Sequence, residues 1–254
     1  MKTFDVTAVR VLPDSAALAD AAARHVAEQS QAAIATRSRF YVALSGGSTP
    51  RELHARLASP PLRDQIDWSS WHVFFGDERC VPPDDAQSNY RMARETLLDR
   101  VPVPASQVHR MRGELPPLEA AEEYARELQE AFAPDPPRLD LVLLGMGDNG
   151  HTASLFPGLT AVREQERWVV SEHVPEVGMW RITLTPAVLN LARDATFLVA
   201  GAAKASMLKQ VLEGPYLPDE RPAQVVRPTL GDVIWFVDAA AAAELSPPSG
   251  LSGF

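Results

Sequence analysis

The chemistry of this sequence gathers around His151. It follows a turn with three glycines, Gly145, Gly147 and Gly150, and stands among Asp148, Asn149, Thr152 and Ser154. Of the common side chains, histidine alone titrates near neutrality without help, so its place among polar groups points to general acid–base work. Three further stretches carry reactive or charged groups. Ser45-Gly46-Gly47-Ser48-Thr49 sets hydroxyls and glycines just before Pro50. Asp77-Glu78-Arg79 is a run of three charges, and Lys204 follows Gly201.

Each stretch has a chemical reading beside a bland one. A glycine-rich turn ahead of a helix N-terminus exposes backbone N–H groups and is a ready anion site. The same residues also serve as a tight turn into a capped helix: Thr49 stands three residues before Glu52, the spacing of a capping box, and Pro50 suits the first helical position. Arg79 can face an anion while Asp77 or Glu78 orients it or acts as a base; alternatively the charge run is a solvated loop. Cys80 has no local signature of a nucleophile and reads as structural. Asn89 and Arg91 read as capping and solvating the start of a helix.

Two classes of site are excluded by spacing. Gly145-Met146-Gly147-Asp148-Asn149-Gly150 has the form of a dinucleotide fingerprint, but that fingerprint needs a long helix after its third glycine. Pro157 limits any such helix to about two turns. No second histidine or cysteine stands at ligand spacing from His151, so neither a metal nor any other cofactor is expected.

The elements that must hold these residues follow from periodicity. Leu141-Val142-Leu143-Leu144 is an apolar run that stops at Gly145 and reads as a strand buried on both faces. Further strands are expected at Phe4–Val9, Phe40–Leu44, Trp71–Phe75, Trp168–Val170, Trp180–Thr185, Ala195–Ala200 and Val233–Val237. Helices are expected at Ala16–Ala35, Pro50–Ala58, Gln87–Leu98, Leu118–Phe132 and Pro186–Leu191, after Lys204, and in the alanine-rich stretch after Asp238. Strands alternating with helices imply one α/β domain, a mostly parallel, Rossmann-like sheet with helices on both faces. The domain is expected over residues 1–245, with 246–254 a flexible tail. In such a sheet the four polar strand ends fall on one edge, where cations, a helix N-terminus and a histidine would surround a small phosphorylated substrate.

Composition narrows the partners. The 254 residues are 46% hydrophobic, enough for a sizeable core, and the formal net charge is -9. An acidic chain without a Lys/Arg run is a poor partner for nucleic acid or an anionic membrane. One cysteine cannot form an intrachain disulfide, the N-terminal stretch lacks the apolar core of a signal peptide, and no apolar run reaches membrane-spanning length. A cytoplasmic protein, monomeric or weakly dimeric, is expected.

The segments ALSGGSTP, FFGDERCVPPDDAQSNYRM, DLVLLGMGDNGHTASLFPG, RITLT and LVAGAAKASML, in this order between residues 40 and 212, together resemble 6-phosphogluconolactonase, a family related to glucosamine-6-phosphate isomerase/deaminase. The resemblance implies hydrolysis of 6-phospho-glucono-δ-lactone at a metal-free site. It implies that His151 activates water and that Arg79 and Lys204 hold the phosphate, with Ser45, Gly46, Gly47, Ser48 and Thr49 beside them. Asp77 would orient His151 or a sugar hydroxyl, and Gly147, Asp148, Asn149 and Arg181 of RITLT would join the substrate site; chain geometry, apart from the resemblance, leads to the expectation that backbone N–H groups of the glycine turn stabilise the oxyanion. Many members of the family read Asp-Gly-His where this chain has Asn149-Gly150-His151, and a neutral amide at 149 cannot act as a base. Two rivals stand beside this reading: the isomerase/deaminase activity of the sister family, and a non-catalytic sugar-phosphate sensor.

Overall fold

The structure, a computed structural model, describes residues 8–246. β1 (Ala8–Leu12) runs up to Pro13, four residues later than the expected first strand begins; residues 4–7 of that expectation lie outside the described part. α1 (Ser15–Arg37) opens on Asp14, whose carboxylate accepts from the Ala17 N–H at 2.8 Å, and closes at Ser38 in the left-handed region. Its buried stripe holds Leu18, Ala22, Val26 and Ala33, the residues that the spacing selects. β2 (Phe40–Leu44), α2 (Ser48–Leu57), α3 (Leu62–Gln65) and β3 (Trp71–Phe75) follow. Next come β4 (Asp77–Arg79), α4 (Asn89–Thr96), α5 (Pro117–Phe132) and β5 (Leu141–Gly145). β6 (Val169–Val174), β7 (Met179–Leu184), α6 (Pro186–Leu189), β8 (Asp194–Val199), α7 (Ala205–Glu213) and β9 (Asp232–Asp238) complete the order.

Six strands make a parallel sheet in the order β1-β9-β8-β5-β2-β3. Side chains alternate across a strand. Along β2 this sends Phe40, Val42 and Leu44 into one core, and Tyr41 and Ala43 into the other. β5 does the same with Leu141 and Leu143 against Val142 and Leu144. The first core is roofed by α1, α2 and α4 through Leu18, Val26, Leu53, Leu57 and Ala93. The second is roofed by α5, α6 and α7 through Tyr124, Leu128, Leu189 and Leu208. Strands buried on both faces explain the unbroken apolar runs. Large side chains such as Phe74, Phe197 and Trp235 each contribute roughly 1.5–3 kcal/mol by leaving water.

Three expectations are corrected. β6 and β7 form an antiparallel hairpin and join β4 in a separate sheet of three strands, so strands and helices do not alternate throughout. The hairpin turns through Pro175–Val177 and Gly178, whose φ of 60° suits glycine, and no crossover helix intervenes. The Asp77-Glu78-Arg79 run is not a solvated loop: it is β4, with Asp77 and Glu78 buried. The alanine-rich stretch after Asp238 forms turns instead of a helix. Asp238 there accepts from the N–H groups of Ala241 and Gly201, which ties the segment to the end of β8, and isolated helices this short are not self-sustaining. The expected tail falls on residues 247–254, outside the described part; Ser246 itself bonds to Glu213.

Candidate active site at the carboxyl edge of the sheet

Four neighbouring strands, β8, β5, β2 and β3, end on one edge. β3 is added on one side of β2 and β5 on the other, so the chain reverses its direction across the sheet at this point. A crevice opens at such a switch, outside the carboxyl ends of the strands. Here it is a cavity of about 370 Å³. His151, Asp77, Ser45, Gly46, Gly47, Ser48, Thr49, Arg79, Gly147, Arg181 and Lys204 all line it; Asp148 and Asn149 do not. A larger groove, about 810 Å³, runs between α1 and residues 59–67, but no histidine or glycine lines it. Chemistry, not size, marks the smaller one as the candidate site.

His151 is held from three sides. Its ring stacks on Phe156 with centroids 4.1 Å apart. Gly147 lies against the ring as well: a Cβ there would stand 2.1 Å from the ring Nδ1, so only glycine admits the imidazole. Asn149 Oδ1 accepts from the backbone N–H of His151 at 3.1 Å and lies 2.6 Å from its Nδ1. Burial pushes the imidazole pKa down to about 4, against the pull of Asp77; Lys204 and Arg181 push the same way as burial, while Glu176 opposes them. The ring is therefore neutral at physiological pH, the form that accepts a proton.

The glycine turn does not serve as expected. The Gly147 N–H donates to the His151 carbonyl at 2.9 Å and the Gly150 N–H to the Gly147 carbonyl at 3.0 Å. Both donors are spent within the turn, so Gly147 contributes space for the imidazole and not an oxyanion contact. No helix follows Gly150: residues 151–159 form turns, with Ala153 at a φ of 47°. That removes the remaining ground for a dinucleotide site.

Asp77 does not reach His151 through a hydrogen bond. Its carboxylate accepts from Ser154 Oγ at 2.6 Å and from Asn89 Nδ2 at 3.1 Å. Glu78, beside it, caps a helix. It accepts from the backbone N–H groups of Arg79, Asn89 and Tyr90 at 2.7–2.8 Å and from Ser88 Oγ at 3.0 Å. A carboxylate at a helix N-terminus is stabilised by the aligned N–H groups. Burial still raises its pKa above the ordinary value. Glu78 thus fixes α4, α4 fixes Asn89, and Asn89 fixes Asp77. Gly46 completes the chain, since a Cβ there would meet Asn89 Oδ1 at 1.8 Å.

The remaining groups are cationic. Arg79 and Arg181 stand opposite each other in the β4–β7 ladder. The Nε of each is buried without a protein partner, as is the Ser45 hydroxyl. Lys204, at the end of a turn before α7, pairs with Asp148, which is exposed. α2 begins at Ser48 and not Pro50, and its first turn has no side-chain cap; the capping box of Thr49 and Glu52 does not form. A positive φ of 112° at Gly47 turns the chain so that Ser48 and Thr49 open the helix toward the cavity. Cys80 is inert, burial pushing its thiol up to about 11.

Several site residues have no signal in the sequence. Glu176 and Val177 come from the tip of the β6–β7 hairpin, and Phe156 from an apolar position. Asn89 has one, standing at a helix start, but its bond to Asp77 depends on tertiary placement. Among the described residues no group of three His, Cys, Asp or Glu side chains is placed to hold a metal, and no helix is long and apolar enough to cross a membrane.

Comparison with known proteins places this arrangement among relatives. Residues 13–235 match the family described as glucosamine-6-phosphate isomerases/6-phosphogluconolactonase. The 6-phosphogluconolactonase of Nostoc sp. is 41% identical over 94% of this chain and 98% of its own length. That of Homo sapiens is 41% identical over 94% of both. The solved structure of 6-phosphogluconolactonase from Trypanosoma brucei superimposes with a TM-score of 0.86 at 31% identity, covering 96% of this chain and 100% of that one.

Proposed function

This chain belongs to the glucosamine-6-phosphate isomerase/6-phosphogluconolactonase family, and we propose that within it the protein hydrolyses 6-phospho-D-glucono-1,5-lactone to 6-phospho-D-gluconate, in the oxidative pentose phosphate pathway. One observation carries the reading: a neutral imidazole and three cationic side chains, Arg79, Arg181 and Lys204, line the same cavity as the N-terminus of α2. A phosphate dianion suits the cations and the helix start. Their local positive charge works against a net charge of -9.

His151, neutral and with Nε2 bare, takes a proton from a water molecule as its oxygen bonds to the lactone carbonyl carbon. The carbonyl electrons move onto oxygen. As the tetrahedral intermediate collapses, the bond from that carbon to the ring oxygen breaks, and Nε2–H returns the proton to the ring oxygen. The products are a hydroxyl and a carboxylic acid, which ionises. A positioned base contributes about 10²–10⁴-fold to such a step. Asp77, held by Ser154 and Asn89, aligns a sugar hydroxyl. The Ser45–Thr49 turn, Arg79, Arg181 and Lys204 hold the phosphate, and Asp148 steadies Lys204.

The reaction asks for no metal or cofactor. We place it in the cytoplasm, with the phosphorylated lactone as partner, nucleic acid and membrane playing no part, and the chain monomeric or weakly dimeric. The test is proton release at mildly acidic pH, where spontaneous lactone opening is slow. Fast enzyme-dependent opening is expected, with no ammonia released from glucosamine 6-phosphate. Ammonia release without lactonase activity would assign the chain to the sister activity, and binding without turnover would make it a sensor.

A further inference from the structure

Asn149 can fix His151 only if its amide is held the right way round. The two ends of an amide have nearly the same shape, one donating and one accepting, and the side chain alone does not choose between them. Glu176 makes the choice together with the His151 backbone N–H, which only donates. The Glu176 carboxylate only accepts, and its Oε2 lies 2.8 Å from Asn149 Nδ2. The NH₂ group therefore faces Glu176 and Oδ1 faces His151, where it takes the backbone N–H at 3.1 Å and meets Nδ1 at 2.6 Å. An acceptor at that distance requires the proton to sit on Nδ1. In a neutral imidazole Nε2 is then the bare nitrogen.

We propose that Glu176 is a positioning residue which, through the Asn149 amide, holds His151 in the Nδ1–H tautomer and so keeps Nε2 free to act as the base. The proposal rests on the reading of His151 given above. Glu176 is well placed for this work. It sits in the turn Pro175–Val177 between β6 and β7, closed by Gly178 in the left-handed region, and it reaches the glycine turn from another part of the fold. It also explains why an amide stands at position 149. An aspartate there would set a second carboxylate against Glu176, with no proton between them and like charges in contact.

Glu176→Ala and Glu176→Gln test this, with the ring nitrogens of ¹⁵N-histidine protein read by NMR beside the lactonase kinetics. The His151 signals are those missing from His151→Ala. In Glu176→Ala the Nε2–H tautomer should become populated and kcat should fall about tenfold, the low end of losses on removing an outer partner of a functional histidine. KM should stay within about twofold, because phosphate contacts are untouched. Glu176→Gln keeps an acceptor toward Nδ2, so it should restore the Nδ1–H form and bring kcat to within about threefold of wild type. Glu176 is exposed, so melting temperatures should confirm that both variants fold. An unchanged tautomer in Glu176→Ala overturns the proposal, whatever happens to kcat. So does a tautomer shift that leaves kcat intact. If the wild type fails to open the lactone, the functional reading falls, while the ring signals still decide whether Glu176 sets the tautomer.

Discussion

The Ser154 hydroxyl donates to the Asp77 carboxylate at 2.6 Å, joining the turn after β5 to the short strand after β3. Both residues are buried, so the bond has little competition from water. Ser154→Ala leaves Asp77 with Asn89 as its side-chain donor at 3.1 Å. Losing one partner of a buried carboxylate costs about 1–3 kcal/mol. For a chain of this size that lowers Tm by roughly 2–4 °C per kcal/mol. Thermal melts of Ser154→Ala against wild type check this, and an unchanged Tm would mean that the bond contributes nothing.

Gly46 and Asn89 form a second coupled pair. A Cβ at Gly46 would overlap Asn89 Oδ1, so Gly46→Ala must push the amide away from Asp77. Overpacking of this kind costs about 1–3 kcal/mol. In an Asn89→Ala background the obstruction is gone, and the same substitution should then cost much less. Chemical denaturation of the two single variants and the double variant measures the coupling; additive losses would contradict the contact.

The depressed pKa of His151 sets the pH behaviour. A base with a pKa of about 4 in the free enzyme keeps kcat/KM level well below the ordinary histidine range, with the acid limb near that value. A bound phosphate dianion pulls the imidazole pKa up, so the acid limb of kcat should lie at higher pH than that of kcat/KM. His54, fully buried, is also depressed to about 4, by burial first and then by Arg51. Between about pH 4 and 6.5 the unfolded chain binds more protons than the folded one, so stability rises with pH across that window and is lost as pH falls. His54→Gln should flatten the slope of Tm against pH there. An equally steep slope would show that His54 takes up no proton on unfolding.

The cations should act on binding more than on turnover. Removing one charged hydrogen-bond partner costs about 1.5–3 kcal/mol, or roughly 10–150-fold. Arg181→Ala and Lys204→Ala should therefore raise KM by that order while kcat changes less. Steady-state kinetics separates the two; an unchanged KM in both variants would remove these residues from the phosphate site.

Much of the fold is legible in the sequence because its cause is local. The double-sided apolar runs at residues 40–44 and 141–144, the Asp14 cap and the stripe of α1 are written in consecutive residues. The gathering of polar strand ends is legible too, since a parallel sheet brings them to one edge. What the sequence hides depends on partners far along the chain. Nothing near Glu78 announces that it will cap α4, which starts eleven residues later, and nothing near Glu176 points to Asn149. The N–H groups of Gly147 and Gly150 look available in the sequence, yet the turn consumes both. The alanines after Asp238 have helix propensity, yet the bond from the Ala241 N–H to the Asp238 carboxylate, with Ala241 buried in the core, goes with turns there.

The central claim is that a neutral His151 removes the proton from water, and His151→Ala measured at saturating lactone tests it most directly. The account predicts that kcat falls about 10²–10⁴-fold while 6-phosphogluconate still binds within a few-fold of wild type by calorimetry. Turnover within a few-fold of wild type would contradict it, as would equal loss of turnover and product binding in a variant that is still folded.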